Sequence, residues 1–533
     1  MNAKGYLALV LHAHLPFVRH PEHEDHLEER WLFEAITETY IPILRVYKGL
    51  MADGIPFKVT MSVTPSLANM LADKLLQERY RHHLELLIEL AEKEMDYTSR
   101  TEGEKHFFQL AEMYHKLFLE TRVFWDSYQG NILKAFKEVA DTGQLEIITC
   151  GATHGFLPLY QQHPESIRAQ VMTGVDDYER HFGRRPRGIW LPECGYFPGL
   201  DRFLAEADIQ FFLVDTHGIN NAKPKPARSV YAPLITPWGV AAFGRDQESS
   251  KQVWSSEEGY PGDAVYREFY RDAGFDRPMD YIRKYIHPDG IRLNTGIKYY
   301  RLSGKGDLKY REPYNRQWAL DKAASHAGNF MFNREKQIDW LHGQLGQPPI
   351  IVAPYDAELF GHWWFEGPDW INFLFRKVNY DQSTFELTTP FDYLEKHPMQ
   401  QVAFPAASSW GDKGYYEVWC NGGNDWIYPP LHRCSDRMTR MAEEYTSAKE
   451  IEKRVIRQAM RELLLAESSD WAFIITTATA VEYARQRTLV HIERFNSLFE
   501  MLLSGNIDEG YLGDIEYKDN IFPQINPLHF KRR

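Results

Sequence analysis

Short, continuously apolar runs that each stop at a polar group recur along the chain. Tyr6 to Leu11 stops at His12-Ala13-His14-Leu15-Pro16, and Phe57 to Val63 stops at Thr64-Pro65. Leu145 to Thr149 leads to Cys150-Gly151-Ala152-Thr153-His154, and Gly188 to Leu191 leads to Pro192-Glu193-Cys194-Gly195-Tyr196. Ile209 to Val214 ends at Asp215-Thr216-His217, and Gly239 to Phe243 ends at Gly244-Arg245-Asp246. Ile350 to Ala353 runs through Pro354-Tyr355 to Asp356. Runs apolar at every position suit strands covered on both faces, as in a parallel sheet.

Helical spacing fills the intervals. Leu27 to Leu50 is helical in pattern and carries Trp31. From about 67 to 142 no strand signal appears, and apolar residues three or four apart (Leu84, Leu87, Leu90; Phe107, Leu110, Met113, Leu117) predict a helical insertion. Ile167, Val171, Val175, Tyr178 and Phe182 form one stripe that stops at Gly183, and a further helix is expected near Gln317 to Gln344. The pattern changes near Phe391: Trp410, Trp419 and Trp426 stand in a Gly-rich irregular stretch, and Ser435 to Ser504 reads as helix. The expected organisation is a catalytic domain over 1–400 and a C-terminal helical domain over 401–533. Strands alternating with helices, with polar residues repeatedly at the strand ends, predict an α/β fold, a seven-stranded β/α barrel. An open doubly wound sheet is the alternative, but no glycine-rich nucleotide turn follows the first strand.

Composition narrows the function. A formal charge of −13 over 533 residues argues against a nucleic-acid or anionic-membrane partner. Four cysteines (Cys150, Cys194, Cys420, Cys434) make neither a disulfide framework nor a zinc knuckle. Tyr6 to Leu11 is too short for a signal peptide and no stretch is long enough to span a bilayer, so a cytoplasmic protein is expected. Aromatics at 14% suit either large cores or a groove of flat faces for sugar rings. The glycine pair of Ser303-Gly304-Lys305-Gly306 lacks the strand–loop–helix setting of a phosphate cradle.

The candidate chemistry sits at the strand ends. Glu193 and Asp356 are acids at the tips of two apolar strands, and a pair of carboxyls set against apolar walls suits glycosidic bond chemistry. Ion-paired scaffolding is an equally common use of such acids. His12 and His14, two apart on a strand, share a face. They could bind sugar hydroxyls, or hold a metal with Asp215 or Asp356 as in a polysaccharide deacetylase; hydrogen-bonded imidazoles are the commoner case. Cys194 next to Glu193 reads as a buried structural thiol rather than a nucleophile. Trp410 and Trp419, in irregular backbone, are expected to stack on sugar faces. Trp31, on its helix, is more commonly core and is kept among the substrate-binding candidates. Asp470, after Glu467-Ser468-Ser469, is expected to cap a helix or to bind sugar hydroxyls.

Five stretches together resemble the motifs of glycoside hydrolase family 57: His12 to Pro16, Cys150 to His154, Trp190 to Tyr196, Ala353 to Trp364, and Glu467 to Phe473. They stand in the family's order and span nearly the whole chain. The resemblance extends to the subgroup of 1,4-α-glucan branching enzymes and their amylase-like relatives, which carry a C-terminal helical domain. It implies a seven-stranded barrel and a retaining double displacement on α-1,4-glucan without a cofactor. On it, Glu193 matches the nucleophile and Asp356 the general acid/base. His12, His14 and His154 match residues around the sugar, and Arg245, Gly262, Trp410 and Asp470 fall where the family contacts substrate. Branching enzymes of the family share a long lid loop with a tip tyrosine. Here the connection from Asp215 to Arg245 is short and Tyr231 is its one tyrosine, which raises hydrolysis as a competing outcome.

Overall fold

The computed structural model describes residues 3–255, 258–304 and 306–533; Lys305 of the set-aside glycine pair lies outside the described residues. Ten strands form one sheet: β1 (Gly5–Ala13), β2 (Val59–Val63), β3 (Leu145–Cys150), β4 (Gly188–Trp190), β5 (Phe211–Val214), β6 (Leu234–Ile235), β7 (Ala241–Gly244), β8 (Ile350–Asp356), β9 (Phe385–Leu387) and β10 (Gln401–Val402). The seven apolar runs of the sequence are all strands. They pair in parallel in the order β8-β1-β2-β3-β4-β5-β7. A backbone bond from Asp246 N to Val352 O (2.9 Å) joins the end of β7 to β8, so the sheet curls on itself. Of the three short strands, β9 flanks the start of β1, β6 runs antiparallel to β7, and β10 extends β6.

Alternation along each strand decides what faces the interior. Tyr6, Ala8 and Val10 of β1 pack with Ile148 and Cys150, Trp190, Phe211 and Leu213, Ala241 and Phe243, and Ile350 and Val352 in one enclosed cluster. Leu7, Leu9 and Leu11 instead join the core under the surrounding helices. With a period of two, the next inward positions after Val10 and Val352 are His12 and then His14 on the β1 side, and Asp356 on β8. His12 and Asp356 are register partners across the β1–β8 ladder.

Helices Pro65–Ala72, Lys74–Arg100, Phe108–Ser127 and Leu133–Asp141 lie between β2 and β3, where the helical insertion was expected. The helix Pro164–Phe182 ends at Gly183 in left-handed backbone (φ 72°) and crosses β3 closely at Gly174. A Cβ there would stand 2.2 Å from Cys150 O, so only glycine fits. The expected helix near Gln317 is the 30-residue Arg316–Leu345. After β10 the chain is irregular, then enters helices Tyr428–Glu444, Glu450–Ala466, Ser469–Thr477, Val481–Ser504 and Glu509–Lys518. Ser469 N bonds His154 O (3.0 Å) and Thr153 Oγ1 bonds Leu464 O, which pins the start of Ser469–Thr477 onto the loop after β3. Among the described residues no helix is long and apolar enough to cross a membrane.

Candidate active site

Glu193 follows Pro192 in a tight turn off β4, and both Glu193 (φ 60°) and Cys194 (φ 51°) are left-handed. Two successive non-glycine residues in that region cost of order 1–3 kcal/mol each and persist only where the surroundings impose them. The surroundings here are specific. Trp410 Nε1 donates to Glu193 Oε2 (2.8 Å), Ser469 Oγ lies 2.9 Å from Oε1, and Trp410 N bonds the Glu193 carbonyl (3.0 Å). Each carboxylate oxygen is thus held by one donor from the C-terminal part of the chain. Cys194 is fully buried and its thiol pKa is pushed well up by burial, in agreement with a structural role.

Three imidazoles gather at the same mouth. His12 Nε2 meets His154 Nε2 at 3.0 Å, and His12 lies flat on Trp190 with ring centroids 4.4 Å apart. His14 stacks on His154 at 3.8 Å. The outer nitrogens are anchored: His12 Nδ1 to Ser62 Oγ (2.8 Å), His154 Nδ1 to Ser469 Oγ (2.8 Å) and His14 Nδ1 to Thr64 Oγ1 (3.1 Å). His14 Nε2 reaches both oxygens of Asp470, which also accepts from Ser468. Asp470 is therefore not the expected helix cap, a place Ser468 takes; its carboxylate accepts from His14 and Ser468.

Burial divides the protonation states. It pushes His12 and His154 well below the ordinary histidine range, helped by the neighbouring imidazoles, so both rings are neutral at pH 7. Burial also opposes charge on His14, but Asp470 beside it, with Glu193 and Glu358 beyond, outweighs burial and raises its pKa. Burial raises Glu193, against the two hydrogen bonds that favour its anion. Asp356 is raised well above the ordinary carboxyl range, first by burial and then by the charges of Glu358 and Glu193. Among the described residues none donates a hydrogen bond to the Asp356 carboxyl. Burial raises both acids, which lie within reach of each other's charge, but hydrogen bonds that favour the anion oppose the rise at Glu193 and not at Asp356.

The remaining sequence candidates divide. Arg245 pairs with Asp215 (3.3 Å) and Ser250 (2.8 Å), and its guanidinium lies 6.0 Å from the Trp410 ring. Gly262 is the exposed end of the turn Tyr260–Gly262, whose buried Tyr260 bonds Asn329 through its hydroxyl; among the described residues no hydrogen bond joins the turn to Glu193. Trp31 is half-buried, edge-on to Tyr483 at 5.9 Å. Trp419 corrects the expectation of a sugar-stacking face: it is 1% exposed and stacked on Phe156 at 4.5 Å, because the Gly-rich stretch folds back onto the loop after β3. Trp410 is half-buried and donates its indole N–H to Glu193, which places it beside the acid without testing the expected stacking. Ser62, Trp190, Glu358 and Ser469 escaped the sequence reading. Glu358, which accepts from Tyr40 (2.5 Å) and from His14 N (3.2 Å), stands two places past Asp356, and Ser469 stands beside Asp470, so proximity to motif residues was the signal available.

Among the described residues two groups have the donor types to hold a metal: His14, His154 and Asp470 at the mouth, and Glu462, His491 and Asp519 in the helical part. In the first, His14 Nε2 and Asp470 bond each other and His154 Nδ1 bonds Ser469.

Residues 8–335 match the model of glycosyl hydrolase family 57. The chain belongs to that family. Residues 430–530 match the C-terminal domain of 1,4-α-glucan branching enzymes, so Asp470 falls in one matched segment and Glu193 in the other, while Asp356 lies between them. This family 57 chain is 35% identical to the 1,4-α-glucan branching enzyme of Thermococcus kodakarensis over 98% of its own length and 78% of the relative's. Its fold is similar to that of the α-amylase AmyC of Thermotoga maritima (TM-score 0.93, 48% identity, 99% of both chains). It is also similar to the family 57 branching enzyme of Pyrococcus horikoshii (TM-score 0.89, 34% identity, 99% of this chain and 97% of that one). The family assignment makes the protein an enzyme that transfers or hydrolyses glycosyl groups, and it removes the motive for a metal-dependent deacetylase.

Proposed function

We propose that the protein is a retaining 1,4-α-glucan branching enzyme in which Glu193 is the nucleophile and Asp356 the general acid/base. The observation that carries this reading is the contrast between the two acids. Glu193 has a donor on each oxygen, whereas half-buried Asp356 has none among the described residues and is pushed further towards its neutral form. Asp356 would protonate the departing glycosidic oxygen while Glu193 attacks the anomeric carbon. The resulting glycosyl-enzyme is then taken by a sugar 6-hydroxyl, deprotonated by Asp356. His12, His14 and His154 match family positions around that sugar; their ring nitrogens are held by Ser62, Thr64, Ser469, Asp470 and one another, which fixes the rings that would wall the sugar's position. The relatives named as branching enzymes and the matched C-terminal segment favour transfer over hydrolysis.

Hydrolysis is the second reading, favoured by two observations. One is the similarity to the Thermotoga maritima α-amylase. The other is the connection from β5 to β7, which holds only the short helix Thr216–Asn220, the turn Ser229–Tyr231 and β6. Tyr231 is half-buried within 3.5 Å of Gln337 Nε2, which leaves it on the wall rather than at the tip of a lid. Linkage analysis of amylose after incubation with the enzyme separates the two. New α-1,6 linkages without a matching rise in reducing ends mean branching, and a rise in reducing ends without new linkages means hydrolysis.

A further inference from the structure

Four hydrogen bonds run in a single buried line from β2 to Glu193. Ser62 Oγ meets His12 Nδ1 (2.8 Å), and His12 Nε2 meets His154 Nε2 (3.0 Å). His154 Nδ1 meets Ser469 Oγ (2.8 Å), which meets Glu193 Oε1 (2.9 Å). Ser62, His12, His154 and Ser469 are all buried. The Glu193 carboxylate lies 3.6 Å from His154 Nδ1, so the serine hydroxyl is interposed between the two.

The donor at each link is fixed by counting protons. An ionised carboxylate only accepts, so Ser469 Oγ–H donates to Glu193. A hydroxyl has one proton, so the Ser469 oxygen accepts from His154 Nδ1–H. A neutral imidazole has one N–H, so His154 Nε2 accepts from His12 Nε2–H. By the same rule His12 Nδ1 accepts from Ser62 Oγ–H. Both rings are neutral, as the count requires. The charge on Glu193 therefore selects Nδ1–H for His154 and Nε2–H for His12, with no proton transferred along the line.

We infer that Ser469 is a positioning residue that fixes the Glu193 carboxylate and, through it, the tautomers of His154 and His12. The inference rests on the reading of Glu193 as the nucleophile. The groups facing Glu193 from the packed elements are Asp356, Asp470, His14 and His154, with Trp410 Nε1–H as its other donor. Burial and the charge of Asp470 disfavour its anion, and among the described residues the Ser469 hydroxyl and the Trp410 N–H are the side-chain donors bonded to it.

The experiment compares the full-length wild type with Ser469→Ala and Ser469→Thr. A lost hydrogen bond to an anion should raise the acid limb of the kcat/KM profile by about one pH unit in the alanine variant, and threonine should restore it. An alanine variant that loses activity with an unmoved acid limb would overturn the inference. So would a threonine variant that stays shifted. Should the alanine variant fail to fold, 15N NMR of the histidine side chains in the wild type decides instead. Nδ1–H on His154 and Nε2–H on His12 are expected, and the opposite tautomers sink the idea. Glu193→Gln serves as the control on the underlying reading: turnover retained there removes Glu193 as nucleophile, whatever the Ser469 variants do.

Discussion

His14 Nε2 lies 3.0 Å from both carboxylate oxygens of Asp470, a residue 456 positions away in the chain. The pair joins β1 to the first turn of Ser469–Thr477, and so ties the helical part to the barrel at the mouth. The carboxylate is what overcomes burial and raises the His14 pKa. Asp470→Asn should lower that pKa, read by NMR titration of His14. It should also reduce kcat/KM by roughly 10- to 100-fold, the range expected for a lost charge-assisted bond.

The two acids predict a bell-shaped pH dependence. Activity requires Glu193 ionised and Asp356 protonated, so kcat/KM falls at low pH as Glu193 gains a proton and at high pH as Asp356 loses one. Both limbs should lie above ordinary carboxyl values, since burial raises both groups. Asp356→Asn should abolish the alkaline limb and slow turnover by about 10²–10⁴-fold. A pH–rate series with soluble glucan measures both effects, and an alkaline limb unchanged in the variant would reassign it.

Trp410 and Trp419 should fail differently. Trp410→Phe keeps the ring and removes the N–H that Glu193 Oε2 accepts, so activity should drop while the melting temperature stays nearly constant. Trp419 is buried against Phe156, and Trp419→Ala should cost about 3–5 kcal/mol of stability. Paired denaturation curves and rate measurements distinguish the two roles.

Glu467 carries a stability prediction with a definite sign. Burial lifts its pKa to about 7, against the hydrogen bond from Gln170. Below the unfolded value, near 4.3, the group is protonated in both states and contributes nothing to the pH dependence. As pH rises from there to about 7, the unfolded chain gives up a proton that the folded chain keeps, so stability falls. Glu467→Gln should therefore leave the melting temperature unchanged near pH 4 and raise it near pH 8. A variant less stable at pH 8 would show that the anion is paired after all.

Much of this was legible in the chain. The seven apolar runs became the seven parallel strands, because a strand covered on both faces has to be apolar throughout. Glu193, Asp356, His12, His14 and His154 reached one mouth because each follows such a run, and in a parallel barrel all strand ends of one polarity share a side. The roles of Trp410, Trp419, Ser469 and Glu358 were not legible. Irregular backbone has no period, so nothing in 403–427 told which indole turns inward.

The sequence by itself determined the strands, their inward and outward faces, and which acids and imidazoles stand at their tips, since these follow from periodicity and local sterics. Only the tertiary structure decided that Trp410 and Ser469 each hold one oxygen of Glu193, and that Asp470 is committed to His14. Those contacts join residues more than 200 positions apart, and no local rule of the chain encodes a distance between them.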